Sequence, residues 1–149
     1  MRRFAVGTSV VSTLLVAATL ALGAMTGAAF AVTHATCKKL SGSATSSFTI
    51  STCSPTNAQY KTASAKSSTL ASGGGTLTWA PSKKTTVIKG TVTNKGQGGC
   101  AVGSQEYDLS GTVTGGTATY TKKGDIVKGR ACLSPTATLS LVPGTSLTL

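Results

Sequence analysis

Few residues in this 149-residue sequence could carry acid–base or nucleophilic chemistry, since it contains one histidine and three acidic residues. A serine hydrolase needs a base beside its nucleophile, and the single histidine, His34, is expected in a mobile terminal segment. Ser104 follows a glycine but does not complete a G-x-S-x-G motif, because Glu106 stands where the second glycine is needed. We therefore assign no catalytic residue and expect a protein that is not an enzyme.

Two carboxylates two residues apart offer a different chemistry. On a strand, Glu106 and Asp108 would lie on the same face, roughly 7 Å apart between Cα atoms, and paired carboxylates carry out glycoside hydrolysis. Aromatic residues that could line a sugar site are scarce, at 5% of the chain. We instead expect both acids to pair with the surplus lysines, each surface pair contributing at most about 1 kcal/mol.

The chain contains four cysteines, Cys37, Cys53, Cys100 and Cys132. An even number in a small exported domain predicts two disulfides, with three possible pairings. The preferred pairing is Cys37 with Cys53, across the ends of a short N-terminal hairpin, and Cys100 with Cys132. A zinc site is disfavoured because there is no C-x-x-C motif and only one histidine. No metal, no cofactor and no cofactor-binding residue is predicted.

The first 31 residues have the three parts of a secretory signal peptide. Arg2 and Arg3 form a basic start, Val10 to Leu22 is apolar, and Ala29-Phe30-Ala31 is a cleavage motif. We expect cleavage after Ala31, which makes residues 1–31 the signal and residues 32–149 one secreted domain. The alternative is an uncleaved membrane anchor, since the stretch after Arg3 is uncharged and long enough to span a bilayer.

The mature domain is strongly basic. Removing Arg2 and Arg3 from the fourteen Lys and Arg leaves twelve against three acids, a formal charge of +9. Possible partners are anionic cell-envelope polymers or another protein, whereas nucleic acid is not expected because basic residues are not interleaved with aromatic ones. Two lysine pairs in predicted turns are the candidate binding residues: Lys83, Lys84, Lys122 and Lys123. The alternative is that the lysines only keep the surface soluble.

The stretch from Leu109 to Cys132 predicts three antiparallel strands with turns at Gly115-Gly116 and Lys123-Gly124. In this register one apolar face forms from cross-strand pairs, Lys122 meets Asp125, and Thr112 faces Thr119. The predicted apolar pairs are Val113 with Ala118, Gly111 with Tyr120, and Tyr120 with Val127.

Short strands separated by Gly, Pro, Ser and Asn turns are predicted along the rest of the mature chain. They include Ser47 to Cys53, a weak or edge strand near Tyr60 to Ala65, and Thr85 to Asn94, while Trp79 is expected to anchor the core. Eight or nine such strands indicate an all-β fold, with an immunoglobulin-like β-sandwich as the first choice and a small β-barrel as the alternative.

The sequence resembles small uncharacterised secreted all-β proteins of actinobacteria. The likeness is carried by the alanine-rich signal, the four cysteines, the GTVTGGT segment from Gly111 and the closing segment ATLSLVPGTSLTL from Ala137. The resemblance implies export and a β fold, and it implies no activity.

Together these features predict a non-enzymatic exported β protein, extracellular or associated with the cell wall, that acts by surface binding. The alternative is a secreted protease inhibitor or toxin-like effector, in which a disulfide-braced loop such as Asn94 to Gly99 enters a partner's site.

Overall fold

The computed structural model describes residues 34–54 and 57–149 of the chain. The predicted signal segment, its cleavage site after Ala31 and the alternative membrane anchor lie outside the described residues. The described residues belong to one compact unit, Ala31–Leu149.

These residues form nine strands and one short helix. In chain order the elements are β1 Thr36–Ser43, β2 Ser47–Ser54, β3 Tyr60–Lys66, α1 Ser68–Ala71, β4 Gly74–Pro81, β5 Thr85–Asn94, β6 Gln105–Gly116, β7 Ile126–Leu133, β8 Thr138–Leu141 and β9 Leu147–Thr148.

Strands β1 to β8 each pair antiparallel with the next, and β8 pairs back onto β1. The sheet therefore closes into an eight-stranded barrel with one extra strand. The predicted all-β class, the number of short strands and the two disulfides are confirmed. Of the two expected architectures the small barrel forms, and not the immunoglobulin-like sandwich, because β1 is bonded on both sides, to β2 and to β8.

The extra strand β9 follows β8 along the barrel wall and lies, like β8, between β7 and β1. A tight turn forms at Pro143-Gly144, with the Thr145 amide donating to the Val142 carbonyl at 3.0 Å. It does not reverse the chain into a hairpin, since β9 pairs with β1 and β7 and not with β8. Together β8 and β9 fill the space between β7 and β1.

The prediction of three strands from Leu109 to Cys132 is wrong. Strand β6 runs straight through the expected turn, with Gly115 paired to Val87 and Gly116 paired to Thr86 on β5. Residues 117–125 are a loop, so the predicted partners of Ala118, Thr119 and Tyr120 do not form. The reason is that β6 pairs along most of the ten-residue strand β5, which provides more backbone hydrogen bonds than a short hairpin would.

The register on the other side of β6 also differs from the expected one. Gly111 pairs directly with Val127. The predicted register instead placed Tyr120 on a strand between them, facing Gly111 on one side and Val127 on the other. The turn predicted at Lys123-Gly124 does form, because the Asp125 amide donates to the Lys122 carbonyl at 3.0 Å and Gly124 has a φ of +98°.

The two ends of the barrel are built differently. One end carries the β4–β5 turn and the β6–β7 loop with the lysine pairs, and we call it the basic end. The other carries α1, between β3 and β4, and we call it the helix end. Trp79, near the basic end, is fully buried as predicted, and its indole N–H donates to the Thr86 hydroxyl at 2.8 Å.

Two glycines allow β5 and β6 to approach closely inside the wall. Gly90 and Gly111 are directly paired, and a Cβ on Gly111 would lie 2.5 Å from the Lys89 carbonyl oxygen and 2.8 Å from the Gly90 Cα. Both glycines begin a Gly-Thr-Val-Thr segment. Glycine at such positions lets a barrel wall bend.

We expect Gly111→Ala to lower the free energy of unfolding by about 1–3 kcal/mol, because the new methyl group collides with backbone that can move only by distorting the ladder. Urea unfolding followed by Trp79 fluorescence measures this change. Gly115→Ala is the matched control on the same strand, since a Cβ there meets nothing within 4 Å. Equal losses in the two variants would contradict the close-approach explanation.

Candidate binding sites

The barrel topology brings the two lysine pairs to one end. Lys83 and Lys84 lie in the turn between β4 and β5, and Lys122 and Lys123 lie in the loop between β6 and β7. All four side chains are exposed.

The two connections are bonded to each other through Thr85. The amides of Thr117 and Ala118 donate to the Thr85 carbonyl at 2.8 and 2.9 Å, and the Thr85 amide donates to the Thr117 hydroxyl at 3.1 Å. These bonds hold the start of the β6–β7 loop against the residue that follows Lys84.

The acid at the basic end is engaged inside the protein. Asp125 is buried, and its Oδ2 accepts the Lys122 backbone N–H at 2.6 Å. The expected pairing of Lys122 with Asp125 therefore involves the lysine backbone. The other carboxylate oxygen lies 3.7 Å from Nδ1 of His34. Within residues 34–54 and 57–149, none of the four lysine ammonium groups has a carboxylate within 4.0 Å.

His34 is tied to the barrel and does not lie in the free segment expected from the sequence. Its neighbour Ala35 exchanges two backbone hydrogen bonds with Leu149, at 3.1 and 2.8 Å. The imidazole, 44% exposed, faces Asp125. The histidine thus belongs to the basic end.

An aromatic cluster fills the barrel beneath the lysines. The ring of Tyr60 packs edge-on against Trp79 and against Tyr120, with centroids 5.6 and 4.8 Å apart. The amide of Thr119 donates to the Tyr60 hydroxyl at 3.4 Å, and the Thr86 hydroxyl lies 2.8 Å from the Trp79 indole nitrogen. The basic surface therefore rests on a packed and hydrogen-bonded support.

A second charged cluster lies on the outer wall of the barrel near the helix end. Glu106 is 1% exposed, and its Oε2 accepts the Gly99 backbone N–H at 2.6 Å. Arg130 holds the other oxygen, with Nε at 2.7 Å and Nη2 at 2.5 Å from Oε1. Asp108 lies 3.8 Å from both Lys95 and Arg130. The expected lysine pairing thus occurs at Asp108, whereas Glu106 pairs with an arginine.

The surroundings of Glu106 favour its charged form. The hydrogen bond from the Gly99 amide lowers the pKa of the Glu106 carboxyl below its ordinary value, and the Arg130 side chain and the charge of Lys95 act in the same direction against the opposing effect of burial. Both oxygens of this ionised carboxylate hold neighbouring groups, so Glu106 fastens the β5–β6 loop to the wall.

Arg130 has no sequence signal of its own, because its role depends on the β6–β7 register. Glu106 pairs with Cys132 and Asp108 pairs with Arg130, which puts the guanidinium beside both acids. An open groove of about 680 Å³ runs along this wall, lined in part by Lys95, Asp108 and Arg130.

Both disulfides have the preferred pairing. Cys37–Cys53 joins directly paired residues of β1 and β2. Cys100–Cys132 joins the β5–β6 loop to β7, next to Glu106. The loop proposed for an inhibitor, Asn94 to Gly99, is therefore braced by a disulfide and by a buried carboxylate.

No group of three or more His, Cys, Asp or Glu residues among residues 34–54 and 57–149 could hold a metal ion. In that part of the chain, no helix has the length and apolar character needed to cross a membrane.

Comparison with protein-family models, with curated proteins and with solved structures found no match. The resemblance to secreted actinobacterial proteins stays a prediction.

We expect Glu106→Gln to lower the stability of the fold most at neutral pH. The pKa of Glu106 is depressed by folding, so its charge stabilises the protein fully above the unfolded value, about 4.3, and this contribution disappears as the pH falls through the folded pKa. The difference in free energy of unfolding between the natural protein and the variant should therefore be larger at about pH 7 than at about pH 3.

Asp108→Asn is the matched control, because Asp108 is 42% exposed and its cationic partners lie 3.8 Å away. Its effect on stability should be small at both pH values. A Glu106→Gln difference that does not change with pH would show that the loss comes from packing and not from the carboxylate charge.

Proposed function

We propose that the protein is exported and acts without catalysis, by binding an anionic polymer of the cell envelope through its basic end. The observation that carries this proposal is the arrangement of Lys83, Lys84, Lys122 and Lys123. They extend from two adjacent connections at one end of the barrel, and the acid in one of these connections, Asp125, is buried and bonded to its own loop.

Electrostatics makes a repetitive anionic chain a suitable partner for such a surface. A single exposed ion pair contributes at most about 1 kcal/mol, so a small ligand with one charge would be held weakly. A polymer that presents many charges can engage several lysines together. The field of exposed lysines is screened over about 10 Å at 0.1 M salt, so binding should weaken as the salt concentration rises.

The hydrogen bonds beneath the lysines favour binding, because the two lysine-bearing segments are already ordered before a ligand binds. The bonds of Thr117 and Ala118 to Thr85 connect the two lysine-bearing segments, and the Asp125 carboxylate closes the turn that carries Lys122 and Lys123. A preorganised surface loses less conformational entropy on binding than a flexible one.

Export is supported by the cysteines and by the sequence of the N-terminal segment. Two disulfides are compatible with an extracellular protein, because disulfides persist in oxidising compartments. The apolar segment from Val10 to Leu22 and the Ala-Phe-Ala motif have the pattern of a cleaved signal.

Intact-mass and N-terminal analysis of the natural product tests export. We expect a mature chain that begins at Val32 and carries no free thiol, because signal removal and oxidation accompany transport out of the cytoplasm. A full-length chain with four reduced cysteines would contradict export, and with it the proposed site of action.

Reversing charges at the basic end tests the binding surface. We expect the double variant Lys83→Glu, Lys122→Glu to reduce retention on isolated cell wall at low salt by about tenfold, which corresponds to about 1.4 kcal/mol. The reason is that it both removes two attractive charges and adds two repulsive ones. A cosedimentation assay over a series of salt concentrations measures the change.

The matched control is Lys66→Glu, Lys89→Glu, which makes the same change in net charge at exposed residues on β3 and β5. It should retain most of the binding. If both variants lose retention equally, net charge and not the basic end determines binding; if neither loses any, the proposed surface is wrong.

A further inference from the structure

The helix end of the barrel contains an apolar cavity that the surface-binding proposal does not use. It has a volume of about 190 Å³ and lies between α1 and the inner faces of β5 to β8. Among the described residues that line it, none is charged. They include Ala44, Leu70, Val92, Tyr107, Leu133 and Leu139.

The cavity exists because the two ends of the barrel are filled differently. Trp79, Tyr60 and Tyr120 occupy the interior near the basic end. At the helix end, small side chains such as Ala44 and Ala131 line the wall and leave the space open. Protein interiors are normally close-packed, and the apolar wall left open here remains in contact with solvent. A bound apolar molecule would remove that surface from water, which is favourable.

A short helix borders the opening, where Ala71 is exposed to solvent. Leu70 of α1 is half-buried and borders the cavity. The segment before the helix is anchored to the β1–β2 turn, because the Ser67 amide donates to the Ser46 carbonyl at 2.9 Å and the Ser67 hydroxyl donates to the Ser43 carbonyl. The segment after it enters β4 at once, where Gly74 pairs with Lys89 and Gly75 pairs with Ile88 on β5.

A second, narrower space lies next to the cavity. It has a volume of about 40 Å³, shares the lining residues Leu70, Val92 and Leu109, and reaches Leu77 and Ile88. The shape therefore suits a compact group near the helix with a short extension toward the middle of the barrel.

The polar side chains at the cavity limit the ligand chemistry. They are Ser67 and Tyr107. The Ser67 hydroxyl already donates to the Ser43 carbonyl. The Tyr107 hydroxyl accepts a hydrogen bond from the exposed Asn94 side chain at 3.3 Å, and a phenol can also donate one. No lining side chain could neutralise a charge, and burying an unpaired charge is strongly unfavourable. The ligand must then be uncharged.

We propose that the helix end is a binding site for a small uncharged apolar molecule, a single ring or a short alkyl chain with at most one oxygen. An eight-stranded barrel has an interior of the width that holds one small ligand. Apolar cavities of about 150 Å³ in proteins take up molecules the size of benzene. The site is at the opposite end from the lysines and is independent of polymer binding.

Titration of the mature protein with benzene, followed by the NMR signals of alanine and leucine methyl groups, tests the site. We expect saturable shifts confined to residues around the cavity, such as Ala44, Leu70 and Leu133. Ala44→Leu fills the space beside the β1–β2 turn and should weaken benzene binding at least tenfold. Leu70→Ala enlarges the cavity and should preserve binding.

Ala118→Leu is the matched control, because Ala118 is also half-buried but lies in the β6–β7 loop at the basic end. It should leave benzene affinity unchanged, and so should the lysine reversals. The proposal is overturned if no saturable shift occurs up to the solubility limit of benzene, if the shifts are spread over the whole barrel, or if Ala44→Leu and Ala118→Leu affect binding equally.

Discussion

The hydrogen bonding of β1 to both β2 and β8 is the constraint on which the rest of the structure depends. An open sheet leaves a row of unpaired amide and carbonyl groups at each edge, and closure removes both edges. Cys37 and Cys53 join β1 to β2 covalently, while β8 and β9 pair with β1 from the other side. Closure with eight strands creates an interior that side chains must fill and two ends that loops must cover.

The two ends meet this requirement differently, and their possible functions follow from that difference. At the basic end Tyr60, Trp79 and Tyr120 fill the interior, so the connections above them can present only an outer surface. At the helix end a four-residue helix borders a wall lined by smaller residues, and a cavity remains. A single barrel can thus offer a charged surface at one end and an apolar interior site at the other.

Local sequence patterns predicted where several strands lie. They did not predict which strands pair, because pairing depends on residues distant along the chain. The range Thr85 to Asn94 was predicted with the bounds that β5 has, and the strand near Tyr60 forms as β3. The hairpin predicted at Gly115-Gly116 does not form, because backbone pairing with β5 outweighs the turn preference of the two glycines. Strand β5 is distant along the chain, so a local sequence pattern does not predict this pairing. The ion pair of Glu106 with Arg130 was not predicted for the same reason, since it depends on the β6–β7 register. The cavity depends on closure of the barrel, which no local sequence pattern indicates.

The scarcity of acids explains why so small a barrel can maintain a strongly basic end. The chain contains three acidic residues, and each is engaged by nearby groups: Glu106 by Gly99 and Arg130, Asp108 by Lys95 and Arg130, and Asp125 by the Lys122 amide and His34. Glu106 and Asp108 lie on β6 and form ion pairs with Arg130 and Lys95, which do not belong to the lysine pairs. The third fastens the loop that carries Lys122 and Lys123. The fold therefore uses its negative charges to position loops, and among the described residues no carboxylate lies within 4.0 Å of the ammonium groups of the lysine pairs.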